Sequence, residues 1–181
     1  CTLRRRIFLK PLRAISAQSS VSILCSSSEE KAEFEFYLFD DVSWDVRTDS
    51  MGMTIDAEQA HWNSGVNGKG VIVPKQKHYH AALPFDRSYD CRSEMCLHME
   101  NAGISIKYHH PEVGGAGQFE VEPKLGVMSE MADATMMIKY IIHNTALKHG
   151  LAATFMPKPI STEAGNGMHV HMLLLKDGEP V

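Results

Sequence analysis

Two histidines, His169 and His171, stand two residues apart just after a glycine-rich stretch, Gly165-Asn166-Gly167-Met168. On an extended segment, residues two apart project from the same face, so both imidazoles are expected side by side on one strand. The glycines before them let backbone approach a ligand closely. Glu33 and Glu35 repeat that spacing along the aromatic run Phe34-Glu35-Phe36-Tyr37-Leu38-Phe39, whose Phe34 and Phe36 take the opposite face. Glu112 lies at the rim of one alternating segment, and Glu120 lies within the next. Taken singly, a strand glutamate is usually a solvated charge, and a lone histidine is usually a surface or hydrogen-bonded residue. Together, four carboxylates and His169 form an oxygen-dominated donor set that suits Mg²⁺ or Mn²⁺ better than structural zinc. Carboxylates crowded within a few ångströms repel one another unless cations sit among them. Two divalent ions would account for the set, and paired metals suit phosphoryl transfer.

Those side chains need strands to hold them. Residues 34–39 read as a strand, and Ile104–His109 and Gln118–Glu122 alternate with period two around the Gly114–Gly117 turn. That turn has no Lys-Ser/Thr after it and opens no helix, which argues against a nucleotide P-loop. Leu151–Met156 reads as a further strand. Two helices are expected. One spans Asp90–Ala102, with Gly103 as its stop. The other spans residues 126–149, with the stripe Val127, Met131, Ala134, Ile138, Ile141 and Ile142, and with Ser129 as its N-cap. Residues 42–80 read as loop, with Trp44 and Trp62 packing it onto the body and Val71–Pro74 as a short edge strand. Strands interleaved with helices but joined by a hairpin imply an α+β fold with a largely antiparallel sheet.

Composition is that of a globular protein, 44% hydrophobic and 22% charged, and no apolar run approaches a membrane span. The net charge is −4, yet Arg4, Arg5, Arg6, Lys10 and Arg13 lie in an acid-free N-terminal stretch, so the body is more acidic still. That balance disfavours nucleic acid as the main partner and suits cation binding. Cys1, Cys25, Cys91 and Cys96 lack CxxC spacing, which fits a reduced, cytoplasmic setting. Residues 1–31 are Arg- and Ser-rich and read as a poorly ordered leader, with a short strand at Val21–Leu24. Their composition also fits a transit-type segment. The chain starts at Cys1 and ends at Val181, and is read as part of a longer gene product.

Several collinear motifs carry a resemblance. They are Glu33-Phe34-Glu35-Phe36-Tyr37-Leu38-Phe39-Asp40, Asp90-Cys91-Arg92-Ser93-Glu94-Met95, and His109-His110-Pro111-Glu112 followed by Gly117-Gln118-Phe119-Glu120. They continue through Ala153–Pro159 to Gly165–His171. Over residues 32–181 the chain resembles the catalytic domain of type I (prokaryotic-type) glutamine synthetase. The resemblance implies an ATP-dependent ligase in which ATP phosphorylates the γ-carboxylate of glutamate and ammonia displaces the phosphate. It implies one metal on Glu35, Glu112 and Glu120 and a second on Glu33 and His169. It places His171 and Lys107 by the nucleotide, Ala164 and Gly165 in the glutamate-binding loop, and the active sites between subunits of a homo-oligomer.

The chain departs from that pattern at three positions. Ala164 stands where the family has the Asn that touches glutamate, with Asn166 as the nearby amide that could replace it. Leu173 stands where a Ser is common, and Lys107 where a Glu near ATP is common. The resemblance also places phosphate- and glutamate-binding arginines, a flap glutamate and a last metal ligand beyond residue 181, so this polypeptide alone is expected to have little or no synthetase activity. Ligation of glutamate to another amine, and a non-catalytic metal-binding scaffold, are the other readings.

Overall fold

The computed structural model describes residues 27–180, so the strand expected at Val21–Leu24 lies outside the described residues. The chain runs β1 (Ser27–Ala32), β2 (Phe34–Phe39), β3 (Asp41–Val46), β4 (Met51–Asp56), a 3-10 turn (His61–Asn63) and α1 (Tyr89–Asn101). It continues β5 (Ile106–Pro111), β6 (Gln118–Pro123), β7 (Gly126–Val127), α2 (Met128–Lys148), β8 (Ala152–Thr154), β9 (Val170–Lys176) and β10 (Glu179–Pro180). The fold is α+β, and every strand pairing is antiparallel. The strands form two four-stranded sheets, β10-β9-β1-β7 and β5-β6-β2-β8, together with a β3-β4 hairpin.

β2 organises the core because it is apolar on one face and aromatic on much of the other. Phe34, Phe36 and Leu38 are buried with Met95 and Met99 of α1 and Ile138 and Ile142 of α2. Tyr37 and Phe39 are buried in a second cluster with Ala57, Ala60, Ala116 and Ile160. Each fully buried large apolar side chain contributes about 1.5–3 kcal/mol. Glu35 shares the second face with Tyr37, so the core that fixes β2 also fixes where that carboxylate points.

Several expectations are corrected. β1 begins at Ser27, inside the stretch read as a poorly ordered leader, and pairs with β9 from Ser27↔Leu175 to Ala32↔Val170. Residues 41–56 form a hairpin where loop was expected, and Trp44 is 73% exposed rather than packed on the body. Trp62 is exposed as well, and its Nε1 donates to Asp56 Oδ1 at 2.9 Å, a bond within the same stretch and not to the body. Val71–Pro74 forms no strand, although Val73 is buried. Ser129 is not the N-cap of α2. Val127 holds that position without a side-chain cap, because Gly126 and Val127 pair with Glu30 and Glu29 of β1. Gly103 ends α1 as expected, taking the left-handed φ of +87° that favours glycine.

Candidate metal centre

Strand register gathers the carboxylates. Glu35 of β2 lies directly opposite Glu120 of β6, and Glu120 lies opposite His110 of β5. The three side chains form a row across neighbouring strands, with two like charges face to face, an arrangement that destabilises a sheet unless it is neutralised. Glu112 follows β5, held by its N–H to the Gln118 carbonyl at 2.8 Å. His110 lies 3.6 Å from Glu112 through Nδ1 and 3.8 Å from Glu120 through Nε2. Burial pushes the Glu120 carboxyl up to about 7, with His110 opposing and with Glu33, Glu112 and Glu35 adding to the rise. Four acidic groups therefore feel one another at a partly enclosed point, the condition a bound cation relieves.

The two histidines do converge, and on the same glutamate. His169 Nδ1 is 3.4 Å from Glu33 Oε2 and 3.7 Å from Glu35 Oε1, while His171 Nε2 is 2.7 Å from Glu33 Oε1. The loop before β9 runs alongside the acidic pair. Glu33 N–H donates to the His169 carbonyl at 2.9 Å, and Gly167 N–H donates to Glu35 Oε2 at 2.9 Å. A Cβ at Gly167 would meet the His169 ring at 2.8 Å and Glu35 Oε1 at 3.2 Å, so the exposed ring would have to turn away from Glu33 and Glu35 to admit it. Gly167→Ala is expected to change stability by less than about 1 kcal/mol, since the exposed ring can move, and to weaken Mn²⁺ binding by displacing His169. Urea unfolding and calorimetry check both effects.

All five expected ligands thus lie in one region, although the tightest groupings differ from the expected ones. His110, Glu112 and Glu120 each offer a ligand atom within 4.8 Å of the others, and so do Glu33, Glu120 and Glu122. Glu35 is instead tied to the loop, through Gly167 N–H and Gln118 Nε2. Oxygen donors with an occasional imidazole fit Mg²⁺ or Mn²⁺. Residues 13–181 match the model of a family described as glutamine synthetase, catalytic domain. The chain belongs to the glutamine synthetase family.

Among its relatives, the glutamine synthetases of Pasteurella multocida and Mycolicibacterium smegmatis are 42% and 39% identical to it, covering 82% and 83% of the chain. A 3-hydroxylaminophenol mutase of Cupriavidus pinatubonensis is 41% identical over 151 residues, 81% of this chain and 32% of that protein. The chain spans about a third of the length of the curated relatives it matches, 32% of the Pasteurella protein and 33% of the Mycolicibacterium one. Among solved structures, a glutamine synthetase of Plasmodium falciparum superposes with a TM-score of 0.78 at 25% identity, covering 87% of this chain and 32% of that one. A structure titled apo GmaS shares the fold, with a TM-score of 0.61 at 23% identity over 85% of this chain and 31% of its own.

Within this glutamine synthetase domain, the departures noted in the sequence take definite positions. Asn166 does not offer its amide to a ligand at the position of Ala164. Its Nδ2 donates to the Met156 carbonyl at 2.9 Å, and its Oδ1 accepts from Gln118 at 3.0 Å. The Ala164 carbonyl accepts from the Tyr37 hydroxyl at 2.6 Å, and the Gly165 carbonyl from Gln118 Nε2 at 2.9 Å. Lys107 spends its charge on Glu122 Oε1 at 2.9 Å. Tyr37 and Gln118 are positioning residues that sequence reasoning missed. Both lie on the Glu35 and Glu120 face, so the period-two pattern carried the signal.

No helix among the described residues is long and apolar enough to cross a membrane. The described cysteines, Cys91 and Cys96, are free, and burial pushes both thiols up to about 11. Beneath the site, burial and the neighbouring Arg92 hold the His109 imidazole down at about 4, with Arg92 Nε donating to its Nδ1 at 3.3 Å. Unfolded, this histidine titrates near 6.5. It therefore removes stability as pH falls from about 6.5 to about 4. Glu120, raised above its unfolded value, has the opposite sign between about 4.5 and 7. The measurement is thus a difference: His109→Gln should show a flatter fall in Tm than wild type below pH 6.5, in EDTA.

Proposed function

We propose that this chain supplies the metal-ligand part of a glutamate–ammonia ligase site, which converts ATP, glutamate and ammonia to glutamine, ADP and phosphate through γ-glutamyl phosphate. The supporting observation is the convergence of Glu33, Glu35, Glu112, Glu120 and His169 on one region, with the Glu120 carboxyl raised by burial and, to a lesser extent, by its acidic neighbours. Glu35, Glu112 and Glu120 would hold one Mg²⁺ or Mn²⁺ and Glu33 with His169 the other, and such ions polarise phosphate oxygens and align the reactants. The protein's own contribution is placement. Tyr37 and Gln118 fix the Ala164–Gly165 loop beside the cluster through the two loop carbonyls, which suits it to receive glutamate. In this reading His171, bonded to Glu33, and Lys107, braced by Glu122, would contact the nucleotide. In the full-length protein, association into a homo-oligomer in the cytoplasm completes this reading.

A second reading, ligation of glutamate to another amine, is favoured by Ala164 and Lys107. The sequence relationship also extends to a protein named 3-hydroxylaminophenol mutase. Phosphate release from ATP by the full-length protein, in the presence of glutamate, separates the two. Turnover with ammonia is expected. Turnover with an alkylamine but not with ammonia would transfer the assignment to the second reading. On the chain itself, Mn²⁺ calorimetry should show binding that weakens about tenfold or more in Glu35→Ala. Equal affinity in the two proteins removes the basis for the carboxylate cluster.

A further inference from the structure

Glu122 lies on β6 two residues beyond Glu120 and on the same face, and its side chain is fully buried. Its Oε1 takes two ammoniums, Lys31 from β1 and Lys107 from β5, the latter at 2.9 Å. Its Oε2 is enclosed and accepts no hydrogen bond from any described residue. A buried carboxylate oxygen with no donor is costly and rare, and it calls for a partner. Glu33, Glu120 and Glu122 each offer a ligand atom within 4.8 Å of the others, so a cation placed among them would meet three carboxylates at once. Lys31 already marks the place. Its Nζ pairs with Glu122 and lies 3.8 Å from Glu33, so a tethered cation sits between two of the three carboxylates. Acting as counter-ion to two lysines accounts for Oε1 and leaves Oε2 unexplained.

We propose that Glu122 is a further cation ligand, which with Glu33 and Glu120 forms a three-carboxylate site for a hard divalent ion of the Mg²⁺ or Mn²⁺ class. Three carboxylates without a sulfur or imidazole donor select such ions over zinc or copper. The inference rests on the cluster binding divalent cations and adds a ligand that reading does not use. Glu33 and Glu120 are assigned there to different ions, and Glu122 lies close enough to both to join the two halves. Lys31 and Lys107 brace Glu122 from its other oxygen, and the β1–β9 register sets Lys31 opposite His171.

The test is titration of the 181-residue chain with Mn²⁺, reading free ion by electron paramagnetic resonance, for wild type, Glu122→Gln and Glu35→Ala. The expected result is binding by wild type that weakens about tenfold or more in Glu122→Gln, with an unchanged far-UV spectrum. Affinity within twofold of wild type in a folded Glu122→Gln, with Glu35→Ala impaired, overturns the role of Glu122 and leaves the ligase reading standing. No Mn²⁺ binding by wild type overturns the role of Glu122 and the metal-ligand reading of the cluster together, leaving phosphate release by the full-length protein to decide the ligase reading. Should Glu122→Gln fail to fold, anomalous scattering from Mn²⁺-soaked wild-type crystals decides. A Glu122 oxygen within coordinating distance of an Mn²⁺ peak is expected, and an ion bound with Glu122 out of reach overturns the proposal.

Discussion

Replacing Arg92 by methionine is expected to remove about 3–5 kcal/mol of stability, because it leaves the buried Asp86 carboxylate without its partner. Arg92 and Asp86 are almost completely enclosed, with 1% and 4% of their side chains exposed. The guanidinium makes a two-pronged pair with the carboxylate, at 2.7 and 2.6 Å, and lies 4.3 Å over the Phe119 ring. Arg92 Nε also reaches His109. One side chain on α1 therefore clamps the Asp86 loop, the β5 histidine and the β6 aromatic that sits beside Glu120. Domains of this size are stable by about 5–15 kcal/mol, so the loss would unfold a large share of the molecules on mild heating. The cost comes from the stranded charge, so removing both charges should behave differently. The double variant Asp86→Leu with Arg92→Met should recover more than half of what the single change loses. Urea unfolding of the three proteins measures this. A single variant within about 1 kcal/mol of wild type would sink the argument.

What was legible in the sequence follows from periodicity. Phe34, Phe36 and Leu38 alternate with Glu35 and Tyr37, so β2 and the face of its carboxylate could be read directly. The stripe Met131, Ile138, Ile141 and Ile142 likewise announced α2. The β3–β4 hairpin was missed because its apolar residues do not mark a core. Trp44, Val46, Met51 and Met53 share one face, yet all are exposed. The N-cap was misplaced because sheet pairing of Gly126 and Val127 overrode a local capping preference. Within the site, spacing could place Glu33 with Glu35 and His169 with His171, but it could not say which strands lie side by side. That Glu35 faces Glu120, or that Lys31 and Lys107 meet on Glu122, depends on pairings between segments far apart in the chain. Asn166 shows the same limit. Its type suggested a substrate contact, and its surroundings bind it to Met156 and Gln118 instead.

Glu120→Gln should shift two properties of the chain in opposite directions. Glu120 belongs to both groups of close ligand atoms, one with His110 and Glu112 and the other with Glu33 and Glu122. Losing its charge should therefore weaken Mn²⁺ binding more than losing any single neighbour, by about a hundredfold or more. Glu112→Gln should leave the Glu33 side intact and produce a smaller loss. Without metal, the same Glu120 charge is a burden, since it lies directly opposite Glu35 and is buried. A neutral side chain of equal size removes that repulsion and can still hydrogen-bond. At pH 8 in EDTA, Glu120→Gln should therefore melt higher than wild type, and with saturating Mn²⁺ the order should reverse, because the ion stabilises the protein that binds it. Calorimetric titration and thermal unfolding, each with and without Mn²⁺, read the two effects separately. A variant that melts lower than wild type in EDTA would show that Glu120 serves the fold through its charge. One that binds Mn²⁺ as tightly as wild type would remove Glu120 from the centre of the site. The crossing of the two melting orders is what a cation-binding role predicts and a purely structural carboxylate does not, since only a bound ion would offset the destabilising charge.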